Sequence, residues 1–93
     1  MQNGREQITK GKKLYYARIM DELGIYELIE LTIRTVNDDY FVGIDSREKH
    51  SYLFGYNSLD KAVFFNKEKA LDLVKAAADE RIVSEPFYYE DYQ

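Results

Sequence analysis

The chain is expected to fold as a single α+β domain, a curled antiparallel sheet of five short strands carrying one C-terminal amphipathic helix. Two observations predict it: apolar and polar residues alternate with period two in successive short segments between Lys13 and Phe65, and a helical spacing replaces that alternation from Lys67 onward. Length supplies a third, since 93 residues make room for one hydrophobic core and no second domain.

The first strand is read over Lys13–Met20, where Leu14, Tyr16, Arg18 and Met20 share one face and Tyr15, Ala17 and Ile19 the other. Asp21-Glu22-Leu23-Gly24 breaks it. The second strand runs from Tyr26 to Val36, with Ile29, Leu31 and Ile33 interleaved by Glu30, Thr32 and Arg34, so these three aliphatic residues should point into the core. Asn37-Asp38-Asp39 is a turn because short Asx side chains bond the neighbouring backbone. Tyr40–Asp45 is the third strand, Ser46–Lys49 a polar hairpin tip, and His50–Tyr56 the fourth strand. Asn57–Asp60 allows a single tight turn before a fifth strand over Lys61–Phe65.

Asn66 is placed as an N-cap, with Glu68 where the helix dipole favours a carboxylate. From Lys67 to about Asp79, Ala70, Leu71, Val74, Ala77 and Ala78 form the apolar face. Beyond it Ile82 and Val83 read as a last short strand. The domain is therefore bounded at residues 12–83, between a flexible basic leader over 1–11 and an acidic aromatic tail over 84–93.

Five strands in this order resemble a small Src-homology-3-like barrel. On that resemblance Asp21–Glu27 is the long first loop, Asn37–Asp39 the second, Ser46–Lys49 the distal hairpin and Asn57–Asp60 the short helical turn. The stretch from Lys61 to Ala70, together with Tyr40–Asp45, resembles short uncharacterised proteins of Firmicute phages and mobile elements. The resemblance implies no catalytic residues; it implies an accessory protein that inhibits a bacterial host protein, such as a nucleic-acid-handling defence enzyme.

Composition narrows the function. The chain has no cysteine, which excludes disulfides, thiolate zinc sites and a cysteine nucleophile. No segment is apolar enough for a signal peptide or a membrane span, so the expected compartment is the cytosol and no membrane partner is expected. His50 stands alone at a hairpin shoulder, Asp38-Asp39 fits turn chemistry better than a calcium loop, and Glu27 and Glu30 fall on opposite faces of one strand. No serine lies in a nucleophile-elbow pattern and no glycine loop could cradle phosphate. No catalytic, metal or cofactor-binding residue is assigned, and a non-catalytic protein-binding module is the expectation.

Charge and aromatic content indicate where a partner would bind. The first 13 residues carry +3, and the acids Asp79, Glu80, Glu85, Glu90 and Asp91 against Arg81 put the whole net charge of −4 at the end of the chain. Nine tyrosines and five phenylalanines are a high aromatic load for 93 residues. Tyr16, Phe41, Phe54 and Phe64 are assigned to the core, and Tyr15, Tyr40, Tyr52 and Tyr56 to partly exposed positions. The expected contact segment is the tail, through Glu85, Phe87, Tyr88, Tyr89, Glu90, Asp91 and Tyr92, docking on a basic protein surface; a tail folded over its own barrel is the simpler reading. The alternative partner is a nucleic acid, with Lys10, Lys12, Lys13 and Arg18 on phosphates and Tyr15 as a stacking platform, against which stands a sequence pI near 5.0.

Overall fold

The computed structural model describes residues 5–84. Its elements are β1 (Lys13–Met20), β2 (Ile25–Val36), β3 (Tyr40–Asp45), β4 (Ser51–Gly55), β5 (Val63–Phe64) and α1 (Lys67–Ser84). The strands form one antiparallel sheet in the order β4-β3-β2-β1-β5, curled into a half-barrel, so the expected fold class is the one observed.

Curling divides the side chains of every strand between an inner and an outer face. Leu14 on β1, Ile29, Leu31 and Ile33 on β2, Phe41 on β3 and Phe54 on β4 all turn inward and form the main core with Leu59 and Val63. On the outer face Tyr15, Ala17 and Ile19 of β1 meet Tyr26 and Leu28 of β2 and Phe64 of β5 beneath Ala70, Leu73 and Val74 of α1. The helix thus rests on β1, β2 and β5. Its main contacts do not extend to β3 and β4, where Tyr40, Val42 and Ile44 are half-buried on the outer face and Ser51 and Leu53 exposed.

Several boundaries differ from the sequence expectation, each for a local reason. The anticipated long first loop over Asp21–Glu27 is a tight turn. β1 and β2 stay paired as far as Met20 opposite Ile25, and Gly24, at φ 68°, supplies the left-handed residue that lets Asp21–Leu23 turn back. Lys61 and Ala62 are not in β5, because their N–H groups both donate to Ser58 C=O and hold them in a turn. Ile82 and Val83 are not a strand: α1 carries its hydrogen-bonded ladder through them to Ser84. The boundary drawn at residue 12 omits Ile8, which is only 4% exposed and lies in the main core. Gly11 N–H donates to Ile33 C=O and Ile33 N–H to Lys12 C=O, which ties this segment to β2. Arg5 completes the attachment, its guanidinium 4.1 Å from the Tyr56 ring centre and donating to Asp38 C=O.

Candidate docking surface

Two depressions stand out among the described residues. The first, of about 580 Å³, is lined by Arg18, Glu27, Ile29, Asp45, His50 and Tyr52, among others. Some of the polar groups that line it are paired. Arg18 Nη1 donates to Glu27 Oε1 at 3.1 Å, and His50 Nε2 stands 3.5 Å from Glu48 Oε1. Asp45, at 7% exposure the one buried carboxylate among the described residues, accepts the N–H groups of Arg47 and Glu48 on Oδ1 at 2.7 and 3.3 Å. That pairing shapes the distal turn, which Lys49 closes at φ 65°. Burial pushes the Tyr52 hydroxyl above its ordinary pKa; Asp45, Tyr16 and Glu27 add to the rise and Arg18 opposes it. No group of three metal-ligating side chains occurs among the described residues.

The second depression, of about 570 Å³, lies on the outer face beyond the reach of α1 and is lined by Lys13, Thr32, Arg34, Ile44, Ser46 and Lys49, with Ile33 and Asp45 beneath. Strand register arranges it in rows. Lys13, Thr32, Ile44 and Ser51 stand opposite one another across β1 to β4. The next outward row runs from Thr35 to Val42 and Leu53, with Arg34 beside it. Arg34 has no opposing residue, because the register slips between Ile33 and Thr35 in a β-bulge, and its side chain is exposed there.

Lys13 and Arg34 therefore stand on the β1–β2 side of this face and Lys49 at the turn joining β3 to β4, while the aliphatic side chains Val42, Ile44 and Leu53 lie along β3 and β4. Leu53, 65% exposed, sits at the centre of β4, the terminal strand of the sheet. Asp45 N–H donates to His50 C=O, so ladder alternation directs the backbone groups of Tyr52 and Phe54 toward β3 and those of Ser51 and Leu53 toward the open edge. Charged side chains usually guard such an edge. β4 contains none.

The residues proposed for nucleic acid are not brought together. Lys10 is exposed near the chain start, and Lys12 has its ammonium 5.4 Å from the Phe65 ring centre. Lys13 is on the outer face, 3.4 Å from Glu30 Oε2 and donating to Thr32 Oγ1 at 3.0 Å. Tyr15 is half-buried beneath α1, and Arg18 lies on the inner face with Glu27. Tyr15, Tyr40, Tyr52 and Tyr56 are all half-buried, but Tyr52 and Tyr56 pack on the main core. The tail residues Glu85, Phe87, Tyr88, Tyr89, Glu90, Asp91 and Tyr92 lie outside the described residues. Sequence reasoning overlooked Leu53, Arg34 and Lys49. Compared with known protein families, curated proteins and solved structures, the chain matches none of them.

Proposed function

We propose that the chain is a non-catalytic protein-binding module whose docking surface is the outer face of β3 and β4. The observation that carries this reading is the exposure of Leu53 on an edge strand, in line with Val42 and next to Ile44, on the part of the sheet that α1 does not cover. Aliphatic side chains in a row gain a favourable contact only when something apolar covers them, and each fully buried one is worth about 1.5–3 kcal/mol. The buried Asp45 is occupied by two turn N–H groups, which supports a structural role for this carboxylate over a general acid or base.

The test is affinity capture from the cells that express the chain, comparing wild type with Leu53→Asp. Because Leu53 is exposed, the variant should keep the wild-type melting temperature. Loss of a captured protein on Leu53→Asp is the expected result. Identical capture profiles would overturn the reading. A profile changed by the triple variant Glu85→Lys, Glu90→Lys, Asp91→Lys and untouched by Leu53→Asp would move the contact to the tail.

A further inference from the structure

We infer that the segment this face takes is acidic, a stretch of another protein that carries carboxylates beside one or two aliphatic side chains. The inference rests on the docking reading above and adds the chemistry of the partner.

Charge on the face is unbalanced. Lys13 is partly neutralised by Glu30, but Arg34 and Lys49 form no ion pair among the described residues. The one carboxylate that lines the depression, Asp45, is buried and already accepts two turn N–H groups, so it does not offset them. Both cations stand at backbone irregularities: the bulge leaves Arg34 without a cross-strand neighbour, and the left-handed residue at the end of the distal turn is Lys49 itself. The whole net charge of −4 comes from the residues after Ala78, and those before it balance, so this face is a local positive patch on an otherwise neutral stretch. Such an asymmetry attracts a negative partner and turns it toward the cations before contact.

Geometry adds the apolar half of the requirement. Ile44 lines the same depression, and Val42 and Leu53 continue from it toward the open edge. Neighbouring strands are about 4.8 Å apart, so a segment crossing from β1 to β4 spans roughly 14 Å. Over that distance it passes Lys13 and Arg34 and then Val42, Ile44 and Leu53, with Lys49 beside the path at the β3–β4 turn. A nucleic acid would also answer the positive charge, but single-stranded recognition depends on rings for base stacking; the depression is lined by none, and Tyr40 is the one ring on the outer face of β3 and β4. A protein segment satisfies both halves.

The experiment is a ¹⁵N–¹H NMR titration of the full chain with three probes: a twelve-residue peptide alternating Glu with Leu and Val, the same peptide with every Glu replaced by Lys, and a twelve-nucleotide poly-dT strand. The acidic peptide is expected to shift the amides of Thr32, Ile44, Ser51 and Leu53 and to bind at least tenfold more tightly than the lysine peptide. That preference should collapse in the double variant Arg34→Glu, Lys49→Glu. Equal binding of the two peptides at these amides would overturn the acidic partner and leave the docking surface standing. Failure of both peptides to shift them would remove the docking surface as well. Tighter binding by the oligonucleotide would assign the face to nucleic acid. Movement of the same amides on charge reversal of Glu85, Glu90 and Asp91 alone would assign it to the chain's own end. Either of the last two results overturns the proposal.

Discussion

Tyr16 and Phe54 meet edge to face with ring centres 5.0 Å apart, although two strands separate β1 from β4 in the sheet. In a flat sheet those strands would lie roughly 14 Å apart. The contact exists because the sheet curls, and Tyr52 and Phe41 extend it into a run of neighbouring rings: Tyr16 to Tyr52 at 5.4 Å, Phe41 to Phe54 at 5.5 Å. Phe54→Ala should therefore destabilise the domain by about 3–5 kcal/mol, measured by urea denaturation. A double-mutant cycle with Tyr16→Ala should return a coupling of about 0.5–1.5 kcal/mol. Additive losses would mean that the rings fill space without contributing to closure.

Gly43 permits close packing on the same inner face. A β-carbon there would lie 3.1 Å from Leu31 Cδ1 and 3.2 Å from Leu31 Cβ, and the second of these is fixed to the β2 backbone and cannot swing aside. Gly43→Ala should cost about 1–3 kcal/mol despite the better strand propensity of alanine. Gly55 is the control. Its added β-carbon would meet the Asn57 Oδ1 atom at 3.1 Å, the end of an exposed side chain that can rotate away. Chemical denaturation should rank Gly55→Ala as the milder change, and the reverse order would contradict the close approach of β2 and β3.

The start of α1 depends on one side chain. Asn66 Oδ1 accepts the N–H groups of Glu68 at 2.8 Å and Lys69 at 3.3 Å, two of the donors that a helix N-terminus leaves without partners. Asn66→Ala should lower stability by about 1 kcal/mol, while Asn66→Asp should keep it. Thermal melts of the three proteins decide this. If alanine and asparagine melt together, packing of Ala70 and Val74 holds the helix start unaided.

Much of this architecture was legible in sequence because period two and period 3.6 are local signals. β1 and β3 have the bounds their alternation predicted, and Ile29, Leu31 and Ile33 all turned inward. Parity also argues against a common surface for Lys12 and Lys13, since adjacent strand-like residues point to opposite faces. Ile8 was missed because a single apolar residue has no period. Ile82 and Val83 were misread because a short apolar pair looks alike in a strand and in the last turn of a helix. The docking surface was not legible for a different reason. Alternation assigns Leu53 to the outer side of β4, but which part of the outer side α1 covers is decided by its packing on Ala17, Phe64 and Leu28, far away in sequence.

Alkaline pH gives a test specific to Tyr52. Burial raises the pKa of its hydroxyl in the folded chain above the ordinary value of 10.0, so the folded state holds this proton more tightly than the unfolded state does. Below the unfolded pKa both states are protonated and the contribution is complete. As pH climbs past it, the unfolded chain ionises first, and stability falls until the folded pKa is passed. Tyr52→Phe removes the titration and keeps the ring against Tyr16 and Phe54. Urea midpoints collected from pH 8 to pH 11 should therefore fall less steeply for Tyr52→Phe than for wild type, with the two curves diverging only above about pH 10. Parallel curves across that range would show that the Tyr52 hydroxyl ionises as freely in the folded chain as in the unfolded one, and that the Tyr16–Tyr52 side of the half-barrel is wetter than its packing implies.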